Sequence, residues 1–236
     1  MELRITPELK RIWDQTLAQL TGAAVQCLAV TIFFIVTAGA YWAESATAMV
    51  AARRWQVIIA VFFFVAFVWF IHKYTYFRWR AFPVTLTAYM MLMLAADLLL
   101  PYGLAFREWP AVGYMTLPWG ERVVDLRPQQ VTAWFYAWWG GILAVFIYGG
   151  YACVRHYRDH GRRRAIALLV GLGSFFALWC ITVATQHRMI VFVNLAEIGF
   201  LAIVVVMSFA LTRELRERER RLNLVIDNVP AAVSNL

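Results

Sequence analysis

Charge is scarce in this 236-residue chain: 15% of its residues are Asp, Glu, Lys or Arg, against 62% hydrophobic. A soluble domain averages about 25% charged residues. With a mean hydropathy of +0.63, a soluble fold is excluded and the chain belongs in a bilayer. Cysteine is scarce too. Cys27, Cys153 and Cys180 lie singly inside apolar runs, so neither a disulfide framework nor a C-x-x-C metal knuckle is supported, and the three read as packing residues. Internal repeats and low-complexity linkers are absent, which removes the usual sign of an inverted-repeat transporter. No signal-peptide pattern opens the chain. Instead, Leu9, Ile12, Trp13, Leu17 and Leu20 recur at helical spacing behind Thr6-Pro7, a good N-cap and first helical position. Residues 1–21 therefore read as an amphipathic helix on the membrane surface.

What is abundant is aromatic: 11 Trp, 10 Tyr and 17 Phe, rings favoured where hydrocarbon meets headgroup. Six stretches, 22–43, 55–71, 82–104, 131–154, 165–185 and 190–211, are long enough to cross roughly 30 Å of hydrocarbon. Runs of about twenty residues require helices and exclude a barrel, because the backbone must satisfy itself in lipid. The expected fold is an all-α bundle over 22–211, six-spanning or seven-spanning if the N-terminal helix is counted.

The net charge of +8 does not imply nucleic acid, because the basic residues lie between apolar runs rather than on one soluble face. It reports topology. Arg4, Lys10, Arg11, Lys73, Arg78, Arg80, the five Arg of "RHYRDHGRRR" and the five of "TRELRERERR" fall on one side; Arg53, Arg54, Arg107, Arg122, Arg127 and Arg188 fall on the other. By the positive-inside rule both termini are cytoplasmic. The sizeable external segment is 105–130. Its "YMTL" and "RVVDL" flank "PWGE", which predicts a small hairpin.

Beyond the last span, Leu211, Leu215, Arg218, Leu222, Val225 and Val229 are spaced 4, 3, 4, 3, 4, the seam of a parallel coiled coil with one polar interruption. Glu214 with Arg218 and Glu217 with Arg221 add flanking pairs worth about 0.3–0.5 kcal/mol each. Residues 212–236 read as a dimerising signal stalk, or else as a solvated helix end.

The ending "ERRLNLVIDNVPAAV" resembles the linker and first helix that open a PAS domain. Upstream, "LPWGE", the arginine-rich loop and "NLAEIGFLAIVVVMSFALTRELRERERR" are similar to the membrane-embedded N-terminal sensor regions of PAS-containing histidine kinases. The resemblance is clearer over 114–233 than over 1–100, and such relatives are often counted with seven spans. It implies the input half of a longer receptor, homodimeric through the final helix, speaking to a response regulator through a kinase output, or to a diguanylate cyclase output instead. No kinase H-box or G-x-G nucleotide loop occurs in these residues, so the segment itself is expected to catalyse nothing.

Asp97 and Glu197 are the acids well inside apolar spans, and an ionised carboxylate there costs about 2.5–3.5 kcal/mol on insertion scales. With the third span ending at 104 and the sixth starting at 190, both sit about 10 Å below the external surface at about 1.5 Å per residue. Trp138, Trp179 and Asn194 share that layer, with Trp134, His187 and Arg188 nearer the mouth. An aromatic cup with two carboxylates suits a small, partly apolar ligand, a cation or a proton. Ion conduction, or polar groups that merely glue helices together, fit the same residues. In "WFYAWWGG" the rings read as interfacial anchors, with Gly140 and Gly141 allowing close helix approach. His72 at an inner boundary, His156 and His160 in one solvated loop and His187 outside form no opposed pair, so no metal, haem or other cofactor is expected. Rival functions are a small transporter or integral membrane enzyme using Asp97 and Glu197, or a purely structural dimerising anchor.

Overall fold

A computed structural model of the chain describes residue 24 and residues 27–75, 79–127, 131–160, 162–192, 195, 198–209, 212–213 and 216. The surface helix expected over 1–21 lies outside the described residues, as does all of the expected stalk and PAS-like ending except Thr212, Arg213 and Arg216. In chain order the described elements are α1 (Cys27–Tyr41), α2 (Ala46–Tyr74), α3 (Ala81–Leu99), β1 (Tyr114–Thr116), β2 (Arg122–Val124), α4 (Ala133–His160), α5 (Arg162–Gln186) and α6 (Ile198–Phe209). Among the described residues, four stretches are long and apolar enough to cross a membrane: Ala46–Tyr74, Ala81–Leu99, Ala133–Arg158 and Leu168–Gln186. The helices α1 and α6 are apolar and shorter over the described residues.

Several helix ends differ from those that hydropathy sets. Helix α2 starts at Ala46 rather than near 55, because Ser45 is its N-cap and its hydroxyl accepts the Ala48 N–H at 3.2 Å, satisfying one of the donors a helix start leaves open. Helix α3 stops at Leu99 rather than 104. Pro101 disfavours helical backbone in the residue before it, and Leu100 is extended at φ −73°, ψ 137°. Residues 190–192 and 195, expected within the sixth span, are not helical. Helix α4 runs on to His160, since neither Pro nor Gly intervenes after Gly150. His156, expected in a solvated loop, is therefore buried on α4 and tilted against Tyr74 at 6.1 Å.

Helix α2 packs on α3 and α4, and α4 packs on α3 and α5. The core is phenylalanine. Phe63 meets Phe200 of α6 edge-on at 4.5 Å, Phe64 stacks on Phe175 of α5 at 6.1 Å, and Phe175 and Phe200 lie 5.0 Å apart. Each such pair contributes about 0.5–1.5 kcal/mol beyond its buried area. Close approach is set by Gly141, where an added Cβ would stand 2.5 Å from the Tyr89 ring of α3. Gly140, expected to share that role, faces open space. The outer faces stay apolar: Ile35, Phe62, Ile147, Val170 and Phe209 are exposed, which suits hydrocarbon rather than water. Cys153 packs with Tyr74 and Leu168, whereas Cys27 and Cys180 are exposed. For those two the packing assignment is corrected, because each falls on an outward face of its helix.

The hairpin forms on either side of the Pro-Trp-Gly-Glu turn. Strands β1 and β2 are antiparallel, pairing Tyr114 with Val124, Met115 with Val123 and Thr116 with Arg122, and Gly120 takes the positive φ of 92° that the turn needs. Val124, Leu126 and Phe106 pack on Ala40, Ala43, Met49, Val50 and Phe135, seating the hairpin on one end of the bundle. A second anchor is ionic. Arg127 donates twice to Asp125, at 2.7 and 2.8 Å, and Arg188 lies 3.8 Å from the same carboxylate. Burial raises the Asp125 carboxyl, but the Arg127 hydrogen bonds and the two guanidinium charges outweigh it and hold the group below its ordinary value. Arg188 sits at φ 61° in a Schellman motif that ends α5: its N–H reaches the Thr185 carbonyl at 3.0 Å and the Met189 N–H reaches Ala184 at 2.9 Å.

Candidate functional site

Under the hairpin, a cavity of about 90 Å³ opens between the helices. Each helix contributes residues spaced three or four apart, one face apiece. Helix α2 gives Arg53, Gln56, Val57, Ala60 and Phe64; α4 gives Phe135, Trp138, Trp139 and Ile142; α5 gives Phe175, Trp179, Thr182 and Gln186. Phe33 of α1 and Phe200 of α6 add to an aromatic floor. The polar wall comes from the hairpin end of α2 and from the turn after α3.

That turn is built around Asp97, which is 2% exposed. Because α3 ends at Leu99, the chain doubles back through Gly103, at φ 75°, and delivers the Leu104 N–H to Asp97 Oδ1 at 2.8 Å. Only glycine fits there without strain, since an added Cβ would lie 2.8 Å from that oxygen. Arg54 closes the turn from α2, donating through Nη2 to the Leu100 carbonyl at 2.7 Å and the Pro101 carbonyl at 2.9 Å, a cation on carbonyls left open at a helix C-terminus. Thr132 also reaches the Leu104 carbonyl. A second network crosses the bundle. Gln56 donates to Thr37 at 2.8 Å, and Arg53 donates to Gln56 at 2.9 Å and to Gln186 of α5 at 3.3 Å.

Both networks leave groups over. Arg54 Nε, Asp97 Oδ2, Trp139 Nε1, Trp179 Nε1 and Thr182 Oγ1 are buried without a hydrogen-bond partner, and all five belong to residues that line this cavity. An unsatisfied buried polar group costs about 1–3 kcal/mol, so their convergence on one space is not expected of a cavity that only separates helices. The indoles of Trp139 and Trp179 lie 5.5 Å apart. Among the described residues the polar side chains that line the cavity are those of Arg53, Arg54, Gln56, Asp97, Tyr102, Trp138, Trp139, Trp179, Thr182 and Gln186, with no Ser, Cys or His.

Of the residues singled out in the sequence, Asp97, Trp138 and Trp179 line the same cavity. Trp134 is exposed. His187 is exposed and stacks on Tyr136 at 6.2 Å, outside the lining. Asn194 and Glu197 lie outside the described residues, as do Leu211, Leu215, Leu222, Val225 and Arg218 of the expected relay. The two reference points used for depth differ from the helix ends found: α3 ends at Leu99 rather than 104, and residues 190–192 are not helical. Asp97 sits in the last turn of its helix and is buried against the returning chain. Hydropathy missed Arg53, Arg54, Gln56, Trp139, Thr182 and Gln186. The usable signal was positional: Arg53, Gln56, Ala60 and Phe64 recur at three- and four-residue spacing, which puts polar and apolar groups on one helical face. Among known proteins, no family model and no curated sequence matches the chain, so the site's chemistry is read from its own residues.

Proposed function

We propose that this chain is the sensory membrane module of a bacterial receptor, of the PAS-containing histidine kinase kind that its ending resembles. In this reading six helices span the inner membrane with both termini cytoplasmic, and a small ligand enters under the hairpin. The ligand biases two packings of the bundle, and the last helix carries that bias through the 211–229 stalk to the output. The observation that supports it is the set of five unpartnered buried polar atoms around one cavity. A ligand shifts such an equilibrium only by its difference in affinity for the two states, and groups that lack partners until it binds supply that difference.

The test joins a histidine kinase output after the stalk and measures autophosphorylation in membranes. Trp139→Phe and Trp179→Phe keep the rings but remove the N–H donors, and each is expected to shift basal phosphorylation severalfold. Leu215→Pro is expected to insert normally and to make output indifferent to those changes. Output that ignores both tryptophan variants overturns the receptor. Solute flux in liposomes that disappears with Asp97→Asn would establish the transporter instead.

A further inference from the structure

Away from the cavity, we propose that the outer groove between α4 and α5 binds an anionic phospholipid, with the headgroup on the basic ends of the two helices and one acyl chain in the groove. The groove has a volume of about 310 Å³ and is lined by Leu143, Phe146 and Ile147 of α4 and by Leu169, Leu172, Gly173 and Phe176 of α5. Every lining side chain is apolar. Leu143, Ile147 and Phe176 are exposed, and a Cβ added at Gly173 would meet nothing within 4 Å, so among the described residues nothing fills the space over that glycine.

Charge says what covers it. Helix α4 ends at His160 and α5 starts at Arg162, so the packed pair brings its basic ends to one edge of the bundle, away from the hairpin. Over 155–164 five arginines stand against one acid, Asp159. On α4, Leu143, Ile147, Tyr151, Val154 and Arg158 recur at three- and four-residue spacing and all are exposed, a row that leads from the groove to a guanidinium. On α5, Phe176, Gly173, Leu169 and Ile166 repeat that spacing back toward Arg162, Arg163 and Arg164, which open the helix. At about 1.5 Å per residue the lining lies about 10–22 Å along the helices from Arg158 and Arg162. With hydrocarbon roughly 30 Å thick, that is around the bilayer midplane, where an acyl chain anchored at this edge ends. A second copy related by a two-fold axis along the membrane normal would set its own arginines against these, and like charges repel. A phosphate neutralises them instead, gaining about fivefold in affinity for each arginine it meets.

Native mass spectrometry of the purified chain in detergent tests the assignment, titrating phosphatidylglycerol, phosphatidylcholine with the same acyl chains, and glycerol 3-phosphate. Phosphatidylglycerol is expected to bind at least fivefold more tightly than phosphatidylcholine, and glycerol phosphate, which has no chain, is expected not to displace it. Arg158→Gln is expected to weaken phosphatidylglycerol about fivefold and to leave phosphatidylcholine unchanged, whereas Arg158→Lys keeps the preference. Gly173→Leu occupies the groove with protein and is expected to weaken both lipids severalfold without lowering the melting temperature, since its new side chain enters open space. Arg158 is exposed, so the charge variants still decide the headgroup should Gly173→Leu misfold. Equal binding of the two lipids, or a preference that survives Arg158→Gln, overturns the anionic headgroup. Displacement by glycerol phosphate, or lipid binding that a folded Gly173→Leu leaves intact, overturns the groove. A dimer that excludes lipid and disappears with Gly173→Leu overturns the proposal in favour of a second copy of the chain.

Discussion

Helix α2 passes from a dry core into a polar cavity within about three turns of a single face. At one end Phe63, Phe64 and Phe67 are 0–2% exposed and locked among the rings of α5 and α6. Along the same face stand Gln56 and Arg53, bound to Thr37 and Gln186 beside atoms that have no partner at all. Among those phenylalanines, stability comes from ring contact. At the cavity, side chains are held by hydrogen bonds to the α3 turn and across the bundle, and five polar atoms of its lining residues are buried without a partner. The difference teaches that burial alone does not mark the site. What marks it is burial combined with unmet bonding capacity, in a region whose scaffold is otherwise satisfied.

The largest expected effect lies on the core side. Phe67→Ala removes a side chain that is fully buried, and such truncations cost about 3–5 kcal/mol. The shift in unfolding free energy in detergent measures it, and a loss below about 1 kcal/mol would mean that the core is as yielding as the cavity. Next comes the frame of the cavity. Gly103→Ala places a Cβ 2.8 Å from Asp97 Oδ1 at a φ of 75°, and strain of this kind costs about 1–3 kcal/mol. The same measurement checks it, together with accelerated amide exchange at Leu104, whose N–H Asp97 holds. Exchange that stays slow at Leu104 would break the claim that this glycine shapes the site.

A smaller effect belongs to the hairpin above the cavity. Asp125 is held below the ordinary carboxylate value by Arg127 and Arg188 against the opposing pull of burial. A group depressed in the folded state contributes stability that is fully present above its unfolded value of about 3.9 and is lost as pH falls through the folded value. Proteolytic nicking within 105–127 is therefore expected to stay slow down to about pH 4 and to accelerate below it. Asp125→Asn should nick faster at neutral pH and lose that acid dependence. An unchanged acid profile in Asp125→Asn would show that the apolar seat under Val124 and Leu126 holds the hairpin by itself.

How much of this was legible follows the range of each interaction. The hairpin was readable because its turn residues and alternating strands sit within a dozen positions of one another. Four apolar helices were readable from hydropathy, but their ends were not, because a hydropathy window averages over Ser45 and Pro101, the residues that cap and break them. Asp97, Trp138 and Trp179 stood out as unusual residues in apolar runs. Arg53 and Arg54 counted only as topological charge, and nothing local announced that one would reach Gln186 across 133 residues or that the other would hold the turn after α3. Thr182 was invisible too, being one hydroxyl among the residues of an apolar helix.

Thr182 carries the smallest expected effect and the sharpest form of the contrast. Its hydroxyl is buried without a partner, on a residue 2% exposed, so replacing it with the near-isosteric methyl of Val removes a desolvation cost and breaks no hydrogen bond. Thr182→Val is expected to leave stability unchanged or to raise it by up to about 1 kcal/mol, the reverse of what a threonine bonded within the scaffold would do. The same experiment on Thr75, whose hydroxyl bonds the Ile71 carbonyl at 2.7 Å, is expected to cost about 1 kcal/mol. Comparing the two unfolding free energies decides the matter. If Thr182→Val destabilises as much as Thr75→Val, its hydroxyl has a partner in the resting protein, and the cavity is one polar atom closer to being satisfied without a ligand.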